Sequence, residues 1–513
     1  MKFLEKEPDL KVDVRLRLPK EELLQIIGDY DALVVRSETK VTADVLERAK
    51  KLQVVARAGV GVDNIDLEAA TRLGVAVVNA PTGNIMAAAE HTVALLFALA
   101  RHIPQADASM RRGEWRRSDF MGVEVRGKTL GILGLGRVGS EVAQRLQGFH
   151  MRLLAFDPFV SQEYASRLNV ELVELDRLLR ESDFITIHTP LTSTTRGLVS
   201  GQEIAKMKPG VRIINVARGG LIDEAALLEA LNSGHVAGAA VDVFSQEPPK
   251  DNALVAHAKV IVTPHLGAST FEAQRDVAVE AAEQVLAVLR GKAARYTVNA
   301  PSVVPETEGV VAPYVQVANT VGRLASQLAD GPINSVTLTY EGDISRYNVT
   351  ILKAAAVMGL LQPVTAERVN LVNALFVAQE RGLKILEQKG PAPEQYSSLL
   401  TIEIDAKGGV ARLSATHMRG ETHVVRVGEH WLDLVPSTPY MLFIDHRDRP
   451  GLIGAVGTLT GQHDINISFM EVGRLEPRGR ATMILGLDDP MPEEVQNKIR
   501  AIPHIYGARL VHI

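Results

Sequence analysis

The stretch that most constrains what this chain can fold into runs from Gly127 to Asp157. Residues 130–133 form an apolar run of strand length, and Gly134-x-Gly136-x-x-Gly139 follows at once. Beyond it Val142, Ala143 and Leu146 recur at helical spacing. In a strand–turn–helix of this kind Gly134 allows the tight turn, Gly136 lets a pyrophosphate reach the backbone, and Gly139 lets helix and strand pack closely. The helix start offers its unpaired N–H groups to the phosphates. A second apolar run, residues 153–157, closes on Asp157. Its carboxylate accepts hydrogen bonds from ribose hydroxyls and repels a 2′-phosphate. A glycine turn beside an unrelated surface acid would not need this order of strand, glycines, helix, strand and acid. The expectation is a βαβ unit that binds NAD rather than NADP.

That unit fills a small part of a 513-residue chain, which has room for three or four domains. A net charge of −5 gives no electrostatic case for nucleic acid or an anionic membrane. Cysteine is absent, so there are no disulfides and no thiolate metal site, and no metal is expected. No basic segment followed by an apolar one opens the sequence. The most apolar stretch, 85–103, carries Glu90 and His91, and its clean run is too short to span a bilayer. A cytoplasmic protein is expected.

Ahead of the glycine motif, short apolar runs at 32–35, 54–56 and 75–78 read as parallel strands. The first ends at Arg36-Ser37 and the second at Arg57, where an open parallel sheet binds its ligands. Either arginine alone reads as a solvated loop charge; two at matching strand ends point to an anion site. Residues 84–111 read as one long helix running into the basic loop Arg111-Arg-Gly-Glu-Trp-Arg-Arg117, with Trp115 as its apolar anchor. Beyond the glycine motif, four strand-like runs end near Thr189, Arg218, Glu247 and His265, which places these side chains along one rim. A helix over 270–289 leads back to the first domain. Residues 299–305 read as a linker, and 306–435 as helices, one over 369–389, followed by alternating strands without catalytic residues. From Pro439 a βαββαβ rhythm describes a ferredoxin-like unit.

An arginine, a glutamate and a histidine beside a nicotinamide suit oxidation of a 2-hydroxy acid. As hydride leaves C2 the hydroxyl proton must leave too, and a histidine takes it near neutral pH. A carboxylate on the other ring nitrogen fixes the tautomer. A guanidinium binds the substrate carboxylate in two-pronged fashion. Taken singly, His265 reads as a turn residue and Glu247 as a loop acid. Their arrival at one rim beside a dinucleotide site favours catalysis.

The stretches Arg57-Ala-Gly-Val-Gly-Val-Asp-Asn64, Gly134-Leu-Gly-Arg-Val-Gly139, Asn215-Val-Ala-Arg-Gly-Gly220, Asp242-Val-Phe-Ser-Gln-Glu-Pro-Pro249 and Pro264-His-Leu-Gly-Ala-Ser269 resemble the D-isomer-specific 2-hydroxyacid dehydrogenases. Among these the chain is similar to the long form that oxidises D-3-phosphoglycerate with NAD, the first step of L-serine biosynthesis. The resemblance implies a substrate-binding, flavodoxin-like domain over 1–82 and 270–300, and a Rossmann-type NAD-binding domain over 83–269. An α+β intervening domain over 301–436 and a ferredoxin-like ACT domain over 437–513 follow. It implies Arg218, Glu247 and His265 as catalytic residues. Gly134, Gly136, Arg137, Val138, Gly139, Asp157, Thr189, Val216, Ala217, Arg218, Asp242, His265, Leu266, Gly267 and Ala268 would contact NAD. Arg36, Ser37, Arg57 and either Arg116 or Arg117 would hold the acidic groups of the substrate. Asp448-Arg-Pro-Gly-Leu-Ile-Gly454 and Ile465-Asn-Ile467 resemble the ACT motif, which implies L-serine as effector at His446, Asp448 and Asn466 between the subunits of a dimer or tetramer. The chain is expected to depart from the family in lacking the usual first strand and helix, and it carries Val60 where relatives have Thr. The alternatives are a glyoxylate or hydroxypyruvate reductase with the same catalytic motifs, and a non-catalytic NAD-sensing protein. The ACT unit speaks against both.

Overall fold

The computed structural model describes residues 3–303 and 307–513, so the end of the expected linker over 299–305 lies outside the described residues. The chain forms two compact units. One comprises Met1–Val12, Ala58–Gly61 and Ala80–Ala282; the other comprises Asp13–Arg57, Val62–Asn79 and Glu283–Ile513.

The first unit is built on a parallel sheet. Its strands are β4 (Thr129–Leu133), β5 (Arg152–Phe156), β6 (Glu171–Leu172), β7 (Phe184–Ile187), β8 (Val211–Asn215), β9 (Val236–Val241) and β10 (Val260–Val262), in the order β10-β9-β8-β7-β4-β5-β6. The central strands β4 and β7 are buried throughout and mostly apolar because both faces are covered, as parallel sheets require. Leu130, Ile132 and Val142 face one core and Leu133, Ile185 and Ile213 the other. The chain runs outward through β4, β5 and β6 and then returns to β7 on the far side of β4. The strand order thus reverses between β4 and β7, and such a switch point opens a crevice at the strand ends.

The single helix expected over 84–111 is two helices, Ile85–Arg101 and Ile103–Arg111. His102 between them is left-handed (φ 53°), and Pro104 lies in the first turn of the second. The proline ring would collide with the carbonyl of Ala100 in a continuous helix, so the break falls just ahead of it.

The second unit contains three sheets. Strands β1 (Ala32–Val35), β2 (Val54–Arg57) and β3 (Ala76–Asn79) are parallel in sequence order. Helix Lys20–Ile26 precedes β1, so a first helix is present where none was expected, while among the described residues no strand precedes β1. The next sheet holds β11 (Ile333–Gly342), β12 (Lys384–Gly390), β13 (Ser398–Ala406), β14 (Gly409–Met418), β15 (Glu421–Val427) and β16 (His430–Leu434), ordered β12-β11-β13-β14-β15-β16. The helix expected over 369–389 is confined to Ala374–Glu380, and 384–390 is a strand parallel to β11. Gly382 is left-handed (φ 67°) and stops the helix, and only the distant partner β11 makes the remainder extended. The last sheet is antiparallel, with β17 (Tyr440–Arg447), β18 (Ile467–Arg474), β19 (Arg480–Leu487) and β20 (Ile505–His512) in the order β18-β19-β17-β20. Helices Leu452–Gln462 and Glu493–Arg500 complete the βαββαβ unit. Among the described residues no helix is long and apolar enough to cross a membrane.

Candidate active site

The crevice at the switch point is built by the glycines. Gly134 is left-handed (φ 93°), and a Cβ there would stand 2.9 Å from the carbonyl carbon of His188 at the end of β7. A Cβ on Gly139 would lie 2.1 Å from the carbonyl oxygen of Gly134. A Cβ on Gly136, by contrast, would meet nothing within 4 Å. The backbone is therefore bare on the side where a phosphate would approach. Arg137 and Val138 open helix Arg137–Gln147 at that point. Thr189 Oγ1 is buried without a hydrogen-bond partner among the described residues, so a polar group awaits one at the same rim. Asp157 follows β5. Its Oδ2 accepts from the amide of Leu135 at 2.9 Å and its Oδ1 from that of Phe159 at 2.9 Å. The acid braces the glycine turn while each oxygen keeps a lone pair for a ribose hydroxyl. These features fit NAD, which this crevice would hold across β4 and β7.

Three neighbouring strand ends carry the polar side chains. After β8 the buried Asn215 shapes the loop: its Nδ2 donates to the carbonyl of Arg218 at 2.9 Å and its Oδ1 accepts from Ala217 N–H at 3.0 Å. Val216, Ala217 and Arg218 are presented by this turn, and Arg218 Nη1 donates to the carbonyl of Ala217 at 2.7 Å. Gly219 presses against the next strand end, where a Cβ would fall 1.9 Å from the carbonyl oxygen of Phe244. No other residue allows that approach. Glu247 lies beyond β9, its Oε1 held by the amide of Phe244 at 3.1 Å and its Oε2 2.7 Å from His265 Nδ1. His265 follows β10 in a left-handed conformation (φ 56°), and both side chains of the pair reach solvent. Thr189, Arg218, Glu247 and His265 therefore do stand at the ends of four neighbouring strands.

Asp242 is fully enclosed, and its carboxylate is turned into the loop that carries His265. It accepts from Thr263 Oγ1 at 2.5 Å, Leu266 N–H at 2.7 Å and Gly267 N–H at 2.9 Å, with His91 Nε2 at 3.3 Å. Burial pushes this carboxyl upward, but the hydrogen bonds from His91, Thr263 and the two amides outweigh it and hold it below the usual carboxylate range. Asn215 and His91 were not singled out for the site from the sequence. The one signal for each is a polar side chain at the end of, or within, an apolar run.

In the second unit Arg57 ends β2 and pairs in register with Val35, so Arg36 and Arg57 leave adjacent strands together. Asn64 Nδ2 ties down the loop after Arg36-Ser37 through the carbonyls of Arg36 (3.0 Å) and Thr39 (2.6 Å). In the first unit Arg116 is paired with Asp119 at 2.7 Å, and Arg117 is exposed in the turn Arg117–Phe120. Trp115 is 80% exposed, so it does not anchor that loop as an apolar residue would. In the last domain His446 is buried on β17, its Nδ1 3.0 Å from the carbonyl of Arg447. Asp448 is engaged by Arg474 at 2.8 Å and the amide of Arg478 at 3.0 Å, and Asn466 donates to Asp488 at 2.6 Å.

Residues 93–267 match the D-isomer specific 2-hydroxyacid dehydrogenase NAD binding domain, 310–427 the D-3-phosphoglycerate dehydrogenase intervening domain, and 440–504 the ACT domain. The chain is 46% identical to the D-3-phosphoglycerate dehydrogenase of Synechocystis sp., across 98% of this chain and 91% of that one. It is 44% identical to that of Methanocaldococcus jannaschii, across 98% and 96%. Among solved structures, the TT0316 protein of Thermus thermophilus superposes with a TM-score of 0.52 at 37% identity, covering 56% of this chain and 92% of that one. The apo D-lactate dehydrogenase of Escherichia coli gives 0.50 at 32% identity, covering 54% and 89%. With three domain matches in this order and such identity over nearly the whole of both chains, the chain belongs to the D-3-phosphoglycerate dehydrogenase family of D-isomer specific 2-hydroxyacid dehydrogenases.

Proposed function

We propose that the chain oxidises D-3-phosphoglycerate to 3-phosphohydroxypyruvate with NAD in the cytoplasm, at the head of L-serine biosynthesis. The observation that carries the chemistry is the 2.7 Å pair between His265 Nδ1 and Glu247 Oε2 at the rim that also presents Arg218. Glu247 accepts from Nδ1–H, which leaves the Nε2 lone pair of the neutral ring to take the hydroxyl proton from C2–OH. The imidazolium so formed is stabilised by the same carboxylate. Bound NAD would supply the hydride acceptor for C2; the part of this chain is the proton, which His265 Nε2 takes from the hydroxyl as the C2–O bond becomes a carbonyl. Arg218 binds the substrate carboxylate in two-pronged fashion and polarises C2. Arg36, Ser37, Arg57 and one of Arg116 or Arg117 hold the phosphate end.

The ACT domain supports a second part of the reading. L-serine binds at His446, Asp448 and Asn466 in a homo-oligomer and lowers turnover. Since Asp448 and Asn466 already have protein partners, binding exchanges those partners for the ammonium and hydroxyl of the amino acid. Steady-state kinetics with NAD and 3-phosphoglycerate, with and without L-serine, test both parts. Turnover of glyoxylate or hydroxypyruvate but not of 3-phosphoglycerate would replace the substrate assignment.

A further inference from the structure

We infer that His91, on helix Ile85–Arg101, is a positioning residue for proton transfer, acting through the Asp242 carboxylate that carries the His265 loop; the inference rests on the reading of His265 as the acid–base. His91 Nε2 stands 3.2 Å from Thr263 Oγ1 and 3.3 Å from Asp242 Oδ1, and its side chain is only 20% exposed. The hydroxyl hydrogen of Thr263 is directed to Asp242 Oδ1 at 2.5 Å, so Thr263 Oγ1 has only acceptor capacity left. A carboxylate accepts only. Nε2 must therefore carry a hydrogen and share it between the two oxygens.

What hangs on that carboxylate is the loop of His265. The amides of Leu266 and Gly267, directly after His265, donate to Oδ1 and Oδ2. Thr263, two residues before it, donates to Oδ1. The amide of His265 itself donates to the main-chain carbonyl of Asp242 at 2.9 Å. His265 holds a left-handed conformation that a residue with a Cβ keeps only when its surroundings over-determine it. One buried anion thus fixes both flanks of the acid–base residue, and His91 is its donor from a separate helix. A buried polar residue that merely satisfied itself would need one partner. This one completes the donor set of a carboxylate with no solvent exposure. Without it the charge is under-compensated, and the loop must shift or admit water.

The experiment compares His91→Leu, His91→Gln and His265→Asn in the full-length chain. It reads kcat, the KM for 3-phosphoglycerate, the Kd for NAD by calorimetry, and thermal unfolding. For His91→Leu, kcat should fall about ten- to a hundredfold, as small misplacement of a catalytic group does, while the KM for 3-phosphoglycerate stays within about threefold. His91→Gln restores an N–H donor and should return kcat to within about threefold of the parent. Should His91→Leu fail to fold, Thr263→Val against Thr263→Ser poses the same comparison at the other side-chain donor, with the same split expected. Parental kcat in His91→Leu, or equal loss in the leucine and glutamine variants, overturns the inference. If His265→Asn keeps full turnover the acid–base reading itself fails. If it is inactive while His91→Leu is unimpaired, only the role of His91 does.

Discussion

The proposed chemistry turns on one imidazole, His265, whose partner, conformation and neighbours are all fixed. His265→Asn keeps the size and the left-handed tendency of the position but cannot take a proton, so kcat should fall about three orders of magnitude while NAD affinity is retained. Glu247→Gln keeps a hydrogen-bonding group on Nδ1 without its charge and should cost less; near-normal turnover of the first variant would remove His265 from the mechanism. Asp157 carries the second prediction. Its oxygens already brace Leu135 and Phe159, so a 2′-phosphate would meet a fixed like charge. NAD should be preferred over NADP by at least about a hundredfold in kcat/KM, a few kcal/mol; equal values would refute it. A third concerns His188, half-buried as a residue but with its ring among protein atoms, Nε2 2.9 Å from Thr186 Oγ1. Burial pushes this imidazole down to about 4. The unfolded chain takes up a proton near pH 6.5 and the folded one does not, so stability falls as pH drops from about 6.5 to about 4, by at most about 3 kcal/mol. The gap in Tm between the parent and His188→Gln should therefore narrow over that range, and a constant gap would count against it. The proposed catalytic trio and the NAD turn were legible because each residue lies in the loop that directly follows an apolar strand run. His91 stayed hidden because nothing local distinguishes a positioning histidine from any polar residue on a helix.

Secondary-structure elements were legible where local and tertiary preferences agreed. The central strands of the NAD-binding sheet are largely apolar runs bounded by glycine and polar residues, and no other element suits them. Two readings missed, and each for a stated cause: Pro104 divides a helix whose apolar spacing continues across it, and β12 is extended only because β11 pairs with it. Glycine spacing also hides information of another kind. Helices Pro313–Leu328 and Thr350–Leu361 cross so closely that a Cβ on Gly322 would lie 2.0 Å from the carbonyl oxygen of Ala356, and one on Gly359 2.0 Å from that of Asn319. Neither contact can relax by a rotamer change, since both partners are main chain. Gly359→Ala should cost about 2 kcal/mol or more through forced separation of the helices. Denaturant unfolding should show it as a lower midpoint, and an unchanged midpoint would mean the helices can part freely.

Within the second unit the three sheets are joined by contacts. Met441, Phe443, Ile484 and Val511 on one face of the ACT sheet belong to the same core as Val336, Leu338 and Tyr340 of the intervening domain. Arg509 Nη1 donates to the carbonyls of Leu328 (2.8 Å) and Ala329 (2.7 Å) at the end of helix Pro313–Leu328, and Gln327 exchanges two hydrogen bonds with the backbone of His512. At the other end Arg368 donates to the carbonyl of Leu52 at 3.0 Å and Asn370 to that of Gly74 at 2.7 Å. Those carbonyls lie just before β2 and β3, in the sheet whose first two strands end at Arg36 and Arg57. A continuous set of contacts therefore runs from the ACT domain to the strands proposed to hold the phosphate. Continuity supplies a route for regulation, and regulation further requires two states that L-serine binds unequally.

The last prediction separates route from site. L-serine should lower kcat of the parent at millimolar or lower concentration, a response Asn466→Ala should abolish without touching uninhibited turnover. Arg509→Ala leaves Asn466 and its surroundings in place but uncaps the helix end through which the ACT domain is held, so L-serine should still bind while its effect on kcat weakens. Calorimetry of the full-length variant with L-serine, alongside the inhibition curve, reads the two quantities separately. If Arg509→Ala is inhibited as fully as the parent, the signal does not pass through this helix end. If L-serine binds neither protein, residues 440–512 serve assembly alone.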